Sequence, residues 1–161
     1  MLPAFEPRDP DYAARVRASF ERQGFMRSLG AELTRVEPGV CEIRLSYRED
    51  LSQQHGYFHA GALGSIADSA GGYAGYTLMG ANDSVLTVEY KLNLVAPGRG
   101  DLAIARARVV RPGRTLTVCQ VDVFAVADGA ETLCAVMQQT LIRLEGRPDR
   151  TGRDGSPSSA T

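Results

Sequence analysis

The sequence predicts an α+β domain: a curved antiparallel sheet of about six strands wrapped around one central helix, with an extra helix at the N-terminus. Three observations carry this. Residues 60–79 form an Ala-, Gly- and Ser-rich run of helical length, uncharged except for Asp68. After Gly80, four stretches alternate apolar and polar residues with period two, and Pro112-Gly113 and Asp128-Gly129 break them like hairpin turns. Two further strand-like stretches precede the helix, so the order is helix, two strands, central helix, four strands.

The chain of 161 residues is long enough for one domain with its own core. It divides into an N-terminal arm and helix (1–24), a main domain (25–145) and a tail (146–161). Asp9 followed by Pro10 reads as an N-cap and first helical position. Tyr12, Val16 and Phe20 then recur at helical spacing, with Arg15, Arg17 and Glu21 outside and Gly24 as the stop. Phe25, Met26 and Leu29 pack a short turn. The strand at 31–36 turns at Glu37-Pro38-Gly39 and returns as 40–47. There Cys41, Ile43, Leu45 and Tyr47 share one face and Val40, Glu42, Arg44 and Ser46 the other. A polar loop, 48–58, leads into the central helix. Strands follow at 84–95, 101–110, 115–127 and 132–144, and tight glycine turns suggest a meander. In the first of these, Leu86, Val88, Tyr90, Leu92 and Leu94 alternate against Thr87, Glu89, Lys91 and Asn93. From Gly146 onward the chain lacks apolar anchors and reads as a disordered tail.

Composition narrows the function classes. The net charge is -1, with no basic surplus to hold nucleic acid. The three cysteines are an odd number, widely spaced among alternating apolar residues, and read as reduced core thiols of a cytoplasmic protein. MLPAFEPRDP has no apolar h-region, so no signal peptide is expected. The longest apolar run holds Asp68 and many glycines, which makes a poor membrane span. His55 and His59 stand four apart, but no Cys or acid completes a ligand set, so neither metal nor other cofactor is expected.

The central helix has two costs that ask for a reason. Each glycine within it costs about 1 kcal/mol relative to alanine, and Gly61, Gly64, Gly71, Gly72 and Gly75 all lie there. Close approach of sheet, partner helix or ligand would supply the reason. Asp68 is a lone carboxylate in an apolar run, costly unless something pairs with it or uses it.

Gln53, then His59-Ala60-Gly61, then Asp68 nine residues after His59 form the key motif. This spacing, with the strand order over 25–145, resembles the hot-dog fold and, within it, the PaaI-like acyl-CoA thioesterases. That family's pattern is an Asn, a His-Gly-Gly opening the central helix, and an Asp nine residues after the His. Gln53 stands at the Asn position and Ala60 at the first Gly, where alanine keeps the backbone N–H that the family uses. The resemblance implies hydrolysis of acyl-CoA thioesters to free acid and CoA. The N–H groups of Ala60 and Gly61, at a helix N-terminus, suit an oxyanion hole. Asp68 would act as general base or nucleophile. By the resemblance Thr87 matches a strand Ser/Thr that positions water. His59 would steady the loop or the departing thiolate, and Gln53 would help bind the carbonyl.

Distance then points to a dimer. Ala60 and Asp68 are eight residues apart, about 12 Å along a helix. Both groups must come within about 3 Å of one reacting carbon. A two-fold homodimer that sets one helix start against the neighbour's Asp68 solves this. The resemblance implies the same dimer, often paired again into a tetramer. Ser65 belongs to a stripe of small residues that would leave a channel for a pantetheine arm or acyl chain. Tyr57 and Phe58 would shape the acyl pocket, and Arg99 and Arg114 would offer cations to CoA phosphates. Aromatic and medium-chain acyl groups both fit this reading. Two rival functions stand beside it: a hot-dog hydratase or dehydratase, for which no His-Phe-Pro-type loop is seen, and a non-catalytic acyl-CoA binder.

Overall fold

The computed structural model describes residues 5–149, so most of the tail expected from Gly146 onward lies outside the described residues. The first helix, α1, spans Tyr12–Arg22, two residues later than Asp9-Pro10 suggests. Asp9 still serves the helix start. Its carboxylate accepts the Asp11 N–H at 3.0 Å and Nε of Arg15 at 2.7 Å. Arg15 is therefore not a solvated outer residue. Its Nη2 also donates to the Met79 carbonyl at 2.9 Å, and its guanidinium lies 4.1 Å from the Tyr76 ring centre. Gly24 does not simply stop α1; it opens a short α2 (Gly24–Leu29), which ends at Gly30 with φ of 72°.

Strands β1 (Ala31–Glu37) and β2 (Val40–Ser46) form the first hairpin. Helix α3 covers Ala60–Tyr76 and stops short of Met79. Thr77 ends it by donating to the Ala74 carbonyl and accepting the Gly39 N–H at 2.8 Å. Strands β3 (Ser84–Leu94), β4 (Leu102–Pro112), β5 (Leu116–Ala127) and β6 (Ala130–Leu144) follow.

All six strands pair antiparallel in one sheet of order β1-β2-β4-β5-β6-β3. This is the expected curved sheet, but not a meander. β4 pairs with β2, and β3 lies at the far edge beside β6. The connection explains it. Residues 95–101 are too many for a tight hairpin, and Pro97 has no N–H for a ladder. By contrast, Asp128 and Gly129, with φ of 50° and 78°, make the two-residue turn that pairs β5 with β6.

Helix α3 lies on the inner face of the sheet. Ile66, Ala67, Ala70 and Ala74 are fully buried, as are Cys41, Ile43 and Leu45 of β2, Val121 and Val123 of β5, and Met137 of β6. Burying one such large aliphatic side chain contributes about 1.5–3 kcal/mol. On β4 the inward positions are Ala103, Ala105 and Ala107, whose small side chains let the helix sit close. Two helix glycines are required by the packing. A methyl at Gly71 would collide with Oε1 of Gln139, and one at Gly75 with Cδ1 of Leu141. Gly72 differs, with nothing within 4 Å of a would-be Cβ. The three cysteines are free and buried. Among the described residues, no helix is long and apolar enough to cross a membrane.

Strand β3 is exposed along its length. Leu86, Val88, Tyr90 and Leu94 are each about half exposed. The strand also carries a bulge between Thr87 and Glu89. Thr87 pairs with Leu141, Tyr90 with Gln139 and Leu92 with Met137, and all three partners are buried. Thr87 therefore shares the helix-facing side with Tyr90 and Leu92, where strict alternation would put it on the other face.

Candidate active site

Asp68 sits halfway along α3, half-buried. Its partners are neutral. Thr87 Oγ1 donates to Oδ1 at 2.8 Å. Nε2 of Gln139, a fully buried β6 residue, reaches the same Oδ1 at 2.5 Å, the Asp68 carbonyl at 3.1 Å and Thr87 Oγ1 at 2.9 Å. One carboxylate oxygen is thus held from two sides.

Asp68 and Thr87 line a cavity of about 470 Å³ between α1, α3 and β3. Ser19 and Arg22 of α1, with Gln23 just after it, supply its outer wall, with Tyr73, Tyr76 and Gly72 of α3 opposite. The Tyr73 hydroxyl lies 3.2 Å from Ser19 Oγ, and burial pushes its pKa up to about 12, so it stays protonated at neutral pH. At the rim, Asp149 accepts from Ser19 Oγ and pairs with Arg22 at 2.8 Å.

A second cavity, also about 470 Å³, opens at the start of α3. Gln53, Tyr57, Phe58 and Ala60 line it, facing Leu94, Val95 and Pro97. His59 caps the helix here: its Nδ1 accepts the Gly61 N–H at 2.8 Å, which puts the imidazole proton on Nε2. Of the two N–H groups expected to form an oxyanion hole, Gly61's is already occupied. The Ala60 N–H has no acceptor among the described residues. The Gln53 side-chain oxygen accepts the His55 N–H, which folds the polar loop. Arg99 lies over the Tyr57 ring, 4.6 Å from its centre, and donates to its hydroxyl.

The structure therefore sorts the expected site residues into two groups on one chain. Asp68 and Thr87 share the first cavity; Gln53, Tyr57, Phe58 and Ala60 share the second, with Arg99 at its edge. Ser65 turns back to the Gly61 carbonyl at 2.7 Å and lines neither cavity. Arg114 lines neither cavity as well. It is exposed in the β4–β5 turn, near Thr117, which packs by Gly75 towards the other end of α3. Nothing in the sequence pattern singles out Gln139, which reads as one polar residue in the pair Gln138-Gln139 of a strand. The parity of β6 could have placed it inward, between Met137 and Leu141. No cluster of three or more potential metal ligands occurs among the described residues.

Comparison with known proteins agrees with this architecture. The family model described as thioesterase superfamily matches residues 55–131, from the polar loop into β6. A solved thioesterase family protein from Silicibacter pomeroyi is 46% identical, with a TM-score of 0.82, over 83% of this chain and 98% of that one. A Halobacterium salinarum protein with a provisional esterase name is 32% identical over 128 residues, 75% of this chain and 83% of that one. The E. coli PaaI protein of the phenylacetic acid degradation operon shares the fold, with a TM-score of 0.75 at 20% identity over 86% of this chain and 97% of that one. From the 32% and 46% identities over most of each relative, together with the six-stranded sheet around α3, the chain belongs to the thioesterase superfamily and adopts its hot-dog fold.

Proposed function

We propose that the protein hydrolyses acyl-CoA thioesters to free acid and CoA, in sites formed where two copies of the chain meet. The observation that carries this is the division of the site. The held carboxylate of Asp68 and the unpaired N–H of Ala60 lie eight residues apart on one helix, about 12 Å, and line different cavities. Strand β3 runs past both cavities and leaves Leu86, Val88, Tyr90 and Leu94 half exposed on a sheet edge. An apolar edge of this kind suits pairing with a second copy. A two-fold arrangement sets each helix start against the neighbour's Asp68.

In such a site the thioester carbonyl oxygen accepts the Ala60 N–H at the positive end of α3. Asp68 takes a proton from water as the water oxygen bonds to the carbonyl carbon. The carbonyl π electrons move to oxygen and then return, breaking the C–S bond and releasing CoA as thiolate. Direct attack by Asp68 gives an anhydride that water opens, with the same products. Gln53 and Tyr57 flank the Ala60 side, and Arg99, held over the Tyr57 ring, would offer a cation to CoA phosphates. The three buried free thiols fit a reducing compartment such as the cytoplasm.

The test is thiol release from a panel of aromatic and medium-chain acyl-CoAs, with wild type beside Asp68→Asn and sedimentation of both. Turnover by a dimer or larger assembly, lost in Asp68→Asn with binding retained, supports the reading. Tight binding without hydrolysis would make the protein an acyl-CoA binder, and loss of enoyl absorbance without thiol release would make it a hydratase. A fully active monomer would refute the shared site.

A further inference from the structure

We infer that Gln139 is a positioning residue for Asp68, and that Gly71 is glycine to make room for it. The inference rests on the thioesterase reading of Asp68, and it concerns what aims that carboxylate. Gln139 is fully buried on β6, beneath the midpoint of α3. Its Nε2 has two hydrogens and three acceptors within reach: the backbone carbonyl of Asp68, its Oδ1, and Thr87 Oγ1. By donating to Thr87, it leaves the threonine proton to point at Asp68 Oδ1, as the 2.8 Å separation requires. Gln139 thus sets the direction of the hydroxyl as well as touching the carboxylate. The outcome is that Oδ1 of Asp68 takes two donors while Oδ2 has none among the described residues, on a side chain that lines the cavity where water or the thioester carbon would lie.

The amide's position is costly. Its Oε1 is buried without a partner, and an unpaired buried acceptor is normally eliminated. It rests against Gly71, where any side chain would collide with it. An apolar residue would fill the same space without an orphan oxygen. A fully buried amide that keeps one atom unsatisfied, and requires a mid-helix glycine, is accounted for by what its other atom does. Two costs are therefore borne at positions 139 and 71, and both serve the Nε2 contact with Asp68 and Thr87.

The experiment uses the full chain and three variants, with acyl-CoA kinetics and melting curves. Gln139→Met keeps the volume and removes the hydrogen bonds. Its kcat is expected to fall about 10–100-fold, the scale of an ångström-size misplacement, with KM within about threefold and the fold intact. Gly71→Ala is expected to give a similar kcat loss by pushing the amide aside. In a Gln139→Ala background, Gly71→Ala should change kcat by less than about threefold, because nothing is left to displace; a merely structural pair would show no such compensation in kcat. Gln139→Met with wild-type kcat overturns the inference. If wild type releases no thiol at all, the thioesterase reading fails separately. The positional claim is then decided by crystal structures of wild type and Gln139→Ala. An Asp68 carboxylate in the same orientation in both overturns it, and a reoriented or disordered one upholds it. Should Gln139→Met not fold, Gly71→Ala and the double variant carry the same decision.

Discussion

Thr87 donates to Asp68 at 2.8 Å because β3 slips its register between Thr87 and Glu89. Without the slip, Thr87 would face away with Lys91 and Asn93. Edge-strand bulges commonly re-aim a side chain next to a functional site. Thr87→Val keeps the shape and removes the hydroxyl, so kcat should fall about 10–100-fold with little change in KM. Thr87→Ser should stay within a few-fold of wild type. Steady-state kinetics on one good acyl-CoA decides; equal kcat for the valine variant would remove Thr87 from the site.

The proposed division of the site between two copies predicts complementation. Ala60 is the first residue of α3, and His59 before it is extended, with ψ of 139°. Proline is tolerated there and lacks an N–H. Ala60→Pro should therefore fold and lose about 10²–10³ in kcat, the usual effect of one oxyanion donor. Asp68→Asn should be comparably inactive. After the two are unfolded and refolded together at equal amounts, about half the dimers are mixed and each has one intact site, so about a quarter of wild-type activity should return. No recovery would mean that each site lies within one chain.

The helix glycines should separate by what they touch. Gly75→Ala drives a methyl into Leu141, and overpacking of this kind costs about 1–3 kcal/mol. Gly72→Ala meets nothing in the chain and should stabilise the helix by up to about 1 kcal/mol. Because Gly72 lines the Asp68 cavity, the same change should raise KM most for the bulkiest acyl groups. Thermal melts and an acyl-CoA series read both effects.

Glu42 gives a pH prediction for stability. It is buried on the outer sheet face, where burial alone would raise its pKa. Hydrogen bonds from Arg106, Thr34 and Arg44 outweigh burial and hold it below 4.5. A carboxyl whose folded pKa is depressed binds protons more weakly in the folded state than in the unfolded one. Its contribution is complete above the ordinary value of 4.5 and is lost as the pH falls through the lower folded value. Glu42→Ala should cost about 1 kcal/mol at pH 7 by removing the shared acceptor of three side-chain hydrogen bonds, and the gap to wild type should close in acid. A gap constant down to pH 3 would contradict this.

Much of the fold is legible because apolar period maps directly onto burial. Cys41, Ile43 and Leu45 alternate in the sequence and are all fully buried in β2. Two things are not legible. Strand order depends on where the 95–101 connection can travel, which no local pattern encodes. The bulge breaks the period at one residue, too short a signal against the run of Leu86, Val88, Tyr90, Leu92 and Leu94. On the site, Asp68 stands out as the lone carboxylate of an apolar helix, and His59 and Ala60 through the resemblance to the family's motif. Gln139 lies 71 residues from Asp68 in sequence, and only the packing of α3 against β6 makes them neighbours. Arg15 reads as a surface charge because helical phase cannot foresee a second helix end beside it.

The stretch matched to the superfamily begins at residue 55, whereas Ser19, Arg22 and Gln23, which wall the Asp68 cavity, come from α1 and its C-terminal cap. Arg15 fastens that helix to the far end of α3 by contacts that do not involve the carboxylate. One wall of that cavity is thus built from outside the matched stretch, and the wall opposite, with Tyr73 and Tyr76, from within it. Under the proposed thioesterase reading, substitutions along α1 would change which acyl groups fit the cavity without altering Asp68 or Thr87.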